Sequence, residues 1–188
     1  MTGTTVRSGS GSGSGPDLTG TGLVVAGTGT ATAPALSRVR PRRRASLYAD
    51  PLSWLVLEAV ERALDTPGAQ PVAAAEQIGH IVVSEWCTGH TMSHLAAQIQ
   101  QGRMSPLRFA GANPGAVCGF TCQVLGFSGP ALTLSMAPAE GLAVATTIAA
   151  DWLRGAAADW VILTAHDDGA PGHEITSTIL RRRGQQGP

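Results

Sequence analysis

Cys87, His90 and His94 stand at the spacing C-x2-H-x3-H, Cys118 and Cys122 stand four residues apart, and His166-Asp167-Asp168 closes a β-branched run. Side chains of these types could hold a metal, attack a thioester or move a proton. The first set resembles half of a zinc site, but the C-x2-C half that would complete it is missing and no fourth ligand lies nearby. Cys118 and Cys122, flanked by Val117, Phe120, Val124 and Leu125, read as buried, inert thiols. Neither a metal nor a cofactor is expected. Cys87 or the His166 to Asp168 cluster could serve a small acyl-transferring or thioester-hydrolysing enzyme, although polar residues closing a strand explain the cluster more simply. No G-x-S-x-G elbow occurs. Gly27-Thr28-Gly29 begins like a dinucleotide loop, yet Thr32 stands where a third glycine belongs and Pro34 blocks a helix, so it reads as a strand-end turn.

These residues need a scaffold, and 188 residues at 43% hydrophobic content supply one domain. The Gly/Ser-rich residues 1–21 are expected to be a disordered tail, residues 22–170 the folded domain and residues 171–188 a flexible C-terminal tail. Thirteen arginines, with no lysine, balance thirteen acidic residues, which argues against nucleic-acid and membrane partners. The runs Arg38 to Arg44 and Arg181 to Arg183 read as solvated loops. Three unpatterned cysteines and no apolar leader suggest a cytoplasmic protein.

Strand and helix signals alternate. Leu23 to Ala26 is a short apolar strand. Asp50 caps a helix with Pro51 in its first turn and Leu52, Leu55, Val56, Ala59, Val60 and Ala63 on one face. Ile78 to Trp86 is a strand, and a helix follows with Met92, Leu95, Ala96 and Ile99 on one side and Gly102 as its stop. After the loop from Arg103 to Ala112, Asn113 and Pro114 open another helix that ends at Gly126. Gly129 to Met136 is a strand, Pro138 to Gly155 a helix, and Asp159 to His166 a buried strand. The expected fold class is α/β, a mostly parallel mixed sheet covered by helices.

The stretch from Met104 to Asp168 resembles the N-terminal half of β-ketoacyl synthases, the condensing enzymes of fatty-acid and polyketide assembly. Asn113, Gly129-Pro130, the junction Ala137-Pro138-Ala139-Glu140-Gly141-Leu142, Gly155 and Asp159 to Ala165 stand in the order of that family's helix start, turn, Ala-Cys-Ala-Ser-Gly-Leu elbow, helix end and strand. With the strand near Leu23, the likeness spans about residues 22 to 168, and it looks closest to short N-terminal-domain-like members. The resemblance implies a single half of a thiolase-like fold and puts Pro138 where the family has its catalytic Cys.

Physically, a condensing thiolate gains from a helix N-terminus, whose unpaired N–H groups and dipole stabilise negative charge. Proline fits such a first turn but brings neither nucleophile nor donor. Glu140 likewise stands where the family pattern has Ser. The residues that would carry chemistry in a full enzyme are thus expected to be vestigial here, at Ala137, Pro138, Ala139, Glu140 and Gly141, and the family's two second-half histidines have no counterpart. The resemblance implies a non-catalytic, chain-length-factor-like subunit. Its partner would be a full-length ketosynthase or a second copy of itself, with an acyl carrier protein reached through the complex. The strand Ala131, Leu132, Thr133, Leu134, Ser135 and Met136 is the implied dimer interface. The alternatives are the small thioester enzyme above and a self-associating remnant without a pathway role.

Overall fold

A computed structural model describes residues 16–41, 48–69, 77–103, 105–169 and 171–184. Five strands form one mixed sheet in the order β1-β5-β4-β2-β3. They are β1 (Leu23–Ala33), β2 (Ile78–Val83), β3 (Ala131–Leu134), β4 (Trp160–Asp167) and β5 (His173–Arg182). The strands β3, β2 and β4 run parallel, whereas β5 pairs antiparallel with both β4 and β1. The helices are α1 (Pro51–Leu64), α2 (Gly89–Ile99), α3 (Pro106–Ala110), α4 (Gly115–Leu125) and α5 (Pro138–Arg154).

Two apolar layers hold the sheet. On one face Leu55, Val56, Ala59 and Ala63 of α1 and Val117 and Cys118 of α4 pack against Val82, Ile162, Ile175 and Ile179. On the other, Leu142, Ala145, Ala149 and Leu153 of α5 pack against Ile81, Val83, Val161 and Leu163. The parallel strands β2 and β4 are therefore covered on both sides, which explains their largely apolar runs. Helix α1 is buried beyond its expected stripe, because Trp54 and Leu57 also meet Phe120 of α4, with the two rings edge to face at 4.7 Å.

Gly27 and Gly29 owe their identity to this packing. A Cβ on Gly29 would lie 2.3 Å from the Ala59 carbonyl oxygen and from the Ala63 nitrogen, and one on Gly27 would lie 2.7 Å from the Ala63 oxygen. The glycines let α1 rest directly on β1. The strand continues through them to Ala33 instead of turning, with an irregularity between Val25 and Gly27, and the small residues at 27, 29, 31 and 33 face inward while Thr28, Thr30 and Thr32 face out.

Several expectations are corrected. Over residues 171–184 the expected flexible tail is instead a strand: β5 lies inside the sheet, with Ile175, Ile179 and Leu180 fully buried, and residues 185–188 lie outside the described residues. Its sequence sets Thr176, Ser177 and Thr178 between Ile175 and Ile179, and that run, rich in β-branched residues, outweighs the charges of Arg181 and Arg182, which sit on the strand opposite Val24 and Leu23. Of the expected N-terminal tail, residues 1–15 lie outside the described residues. Leu18, however, packs against the α5 core, and Thr21 turns the chain into β1 by donating to the Leu18 carbonyl. Ser105 caps the short helix α3 where a loop was expected. On α2 only Leu95 of the apolar set is buried; Met92 and Ile99 are exposed, as are Leu107 and Phe109 of α3.

Candidate functional site at the strand ends

The carboxyl ends of β2, β3 and β4 meet at one place, as crossover connections in a parallel sheet require. Into it run the turn Ser84 to Thr88, the elbow Ser135 to Gly141, and His166. Pro138 opens α5 with Ala137 as its cap residue, whose short side chain makes no capping bond, and Glu140 is the acid of the first turn. Gly141 is buried against β2: a Cβ there would lie 2.4 Å from Val83 Cγ1 and 2.8 Å from Met136 Cγ. The elbow is thus a tightly packed helix start, and the residue at its N1 position has no side-chain group able to attack or donate.

Cys87 is the nearest thiol. It adopts φ +43°, a left-handed conformation uncommon outside glycine, on the turn joining β2 to α2. Its Sγ donates to the Ser84 carbonyl at 3.1 Å and lies 3.4 Å from Ser135 Oγ. Ser84 Oγ accepts from the Cys87 N–H at 2.9 Å and contacts His166 Nδ1 at 2.8 Å, and His166 Nε2 contacts His173 Nδ1 at 3.0 Å. The serine hydroxyl, which accepts one bond and keeps both a proton and a second lone pair, joins the Cys87 N–H to His166 Nδ1, and His166 Nε2 carries the contact on to His173. Burial, then the neighbouring His173, pulls the His166 pKa down to about 4, against the opposing pull of Asp168, Asp167 and Asp50. His166 is therefore neutral near pH 7. Ser84 is fully buried, and Cys87 and His166 are only 3% and 2% exposed, so this chemistry faces inward.

Asp50 ties the same region together. One carboxylate oxygen accepts from Leu52 N at 2.8 Å, capping α1, and the other accepts from Thr91 N at 2.9 Å in the first turn of α2. This buried carboxylate meets two positive helix ends.

The residues of the C-x2-H-x3-H spacing, Cys87, His90 and His94, do not come together. Cys87 is held in the relay, whereas His90 and His94 line a separate cavity of about 140 Å3 beside Tyr48, Trp54 and Arg108. Asp167 accepts from the Gly169 N–H instead of joining His166. A different group does converge: His80 of β2 with Cys118 and Cys122 of α4, whose donor atoms all lie within 4.8 Å of one another. The i, i+4 cysteine pair was visible in the sequence. Its histidine, some 40 residues away, carried no local signal.

Of the implied interface, Ala131 to Met136, the strand Ala131–Leu134 is an edge of the sheet with β2 as its one neighbour in the strand order. Among the described residues no helix is long and apolar enough to cross a membrane.

The family model described as "Beta-ketoacyl synthase, N-terminal domain" matches residues 17–169. Solved structures share the fold at low identity. The ishigamide ketosynthase/chain length factor has a TM-score of 0.69 at 15% identity, covering 88% of this chain and 64% of that one. A type II PKS acyl-carrier protein in complex with its ketosynthase bound to the hexaketide gives 0.65 at 17% identity, covering 86% and 62%. The ketosynthase ApeO in complex with its chain length factor ApeC from Xenorhabdus doucetiae gives 0.59 at 11% identity, covering 85% and 79%. The chain thus spans less than two thirds of the first two structures. No curated protein matches the sequence.

Proposed function

Because the chain belongs to the β-ketoacyl synthase N-terminal-domain family, we propose that it is a non-catalytic, chain-length-factor-like subunit that pairs with an active ketosynthase. Pro138 carries this reading: it opens the elbow helix, in a domain whose fold is the ketosynthase half-domain, and leaves no nucleophile at that helix end. Neighbours described as ketosynthase with chain length factor support the pairing, and one in complex with an acyl-carrier protein supports a carrier reached through the complex. The free edge of β3 is the surface assigned to the partner, since an unpaired strand edge accepts another strand at little cost. Co-expression with a full-length ketosynthase tests the proposal. A stable heterodimer whose product changes when this chain is omitted is expected; separate elution at micromolar concentration with an unchanged product refutes it.

One observation favours a second reading. Cys87 occupies a left-handed strand-to-helix turn, its backbone N–H donates to Ser84 Oγ and that oxygen contacts His166 Nδ1, so a thiol, a hydroxyl and an imidazole lie close together, as a thioester-cleaving enzyme would need. Its burial opposes that role. Acyl-thioester turnover by the isolated chain, abolished in Cys87→Ala, would establish it, and no turnover would dismiss it.

A further inference from the structure

We propose that His80, Cys118 and Cys122 form a binding site for one divalent ion of the zinc class, joining helix α4 to strand β2. The three donors come from two rigid elements packed face to face. Cys118 and Cys122 lie one helical turn apart and so project on the same side of α4, and His80 stands on the strand beneath. His80 Nδ1 is 4.0 Å from Cys122 Sγ, and all three donor atoms lie within 4.8 Å of each other. Zinc bonds of about 2.3 Å to sulfur and 2.0 Å to nitrogen need donor separations of about 3.5–3.8 Å. Side-chain torsion alone can close such a gap.

The surroundings fit a ligand set. His80 Nε2 is 3.1 Å from Thr164 Oγ1, which is 2.9 Å from Ser177 Oγ. With Nε2 donating to this hydroxyl chain, the lone pair of Nδ1 is left facing the thiols, the tautomer a metal requires. Ion binding would release the thiol protons of Cys118 and Cys122.

Charge selects the ion. Two thiolates, a neutral imidazole and a divalent cation sum to zero, so the occupied site costs little to bury. A monovalent thiophilic ion on the same ligands would leave a net negative charge in the core. Water completes the fourth position, as in sites with three protein ligands.

Anaerobic titration of the full-length chain with Co2+ tests this. One equivalent is expected to give thiolate charge-transfer and tetrahedral d–d absorption, both removed by Zn2+. Cys122→Ser should weaken binding at least tenfold and Cys87→Ser should leave it unchanged. Because Cys118 or His80 variants could unfold, alkylation mass spectrometry provides a second readout on the unaltered chain: Zn2+ should protect Cys118 and Cys122 but not alter labelling of Cys87. Absence of the bands, binding indifferent to Cys122→Ser, or equal labelling of all three cysteines with and without Zn2+ would each overturn the site.

Discussion

Single residues decide what the elbow region can do. Replacing Pro138 by Cys would place a thiol at the first position of α5, where the helix end favours its anion. Such a thiol should react with iodoacetamide with a pH midpoint below the ordinary thiol value of about 8.5. It should also be labelled faster than the native Cys87 and Cys118, which are buried; labelling that rises only above that pH would show that this helix end does not activate a thiol. His166 gives a pH signature. Its pKa is lowered to about 4 by burial first and His173 second, so between about pH 6.5 and 4 the unfolded chain binds the proton that the folded chain refuses. Stability should be full above about pH 6.5 and fall as pH drops toward 4, at up to about 1.4 kcal/mol per pH unit. Urea midpoints measured across that range should show this slope, and His166→Gln should flatten it. Asp50 offers a third contrast. Asp50→Ala removes both of its bonds, to Leu52 N and Thr91 N, and should cost about 2–4 kcal/mol in chemical denaturation, being one lost cap plus a buried donor left unpaired. Asp50→Asn keeps the α1 cap and turns an amide group toward Thr91 N, so its loss should be roughly half as large.

At the scale of elements, close approach matters more than propensity. Gly29→Ala would drive a methyl group into the backbone of α1 at 2.3 Å and should destabilise the fold by more than about 2 kcal/mol, since backbone rather than a flexible side chain must move. Gly119 in α4 has open space around its Cβ position, so Gly119→Ala should instead stabilise by about 0.5–1 kcal/mol through helix propensity. Thermal melts of the two variants, one lower and one higher than the parent, check the pair. The same contrast shows what the sequence made legible. Helix α1 was readable because Asp50, Pro51 and the apolar stripe agree, and the elbow because its strand, junction and Ala-rich helix follow in order. Strand β5 was missed because terminal charges at Arg181 to Arg183 and the Gly-rich lead from Gly169 to Gly172 look like a tail, and only its pairing with β1 and β4 makes it a strand. The relay from Cys87 to His173 and the cluster around His80 join residues far apart in the chain, so no spacing could announce them.

For the whole molecule, the sheet is unevenly covered. Helix α5 shields β2 and β4, while Thr28, Thr30 and Thr32 of β1 stay exposed and Val25 is 50% exposed, and at the opposite edge, among the described residues, β3 has no further strand beside it. His80 N donates to the Pro130 carbonyl and Ser84 N to the Leu134 carbonyl. By the alternation of a parallel ladder, even-numbered residues of β3 therefore face β2, and Ala131 and Thr133 turn their backbone groups to the open edge. Thr133, half-buried with its hydroxyl unpartnered, is the place where a partner strand would dock if the pairing proposed above is right. Thr133→Pro removes an outward N–H without touching the β2 ladder. The variant should fold, with circular dichroism and a melting temperature close to the parent, yet lose at least tenfold in affinity for the ketosynthase in a pull-down or sedimentation experiment. A variant that folds and still pairs fully would move the interface away from β3, to the exposed apolar side chains of α2 and α3 at Met92, Ile99, Leu107 and Phe109. Charge substitutions there would then be the ones to separate the subunits.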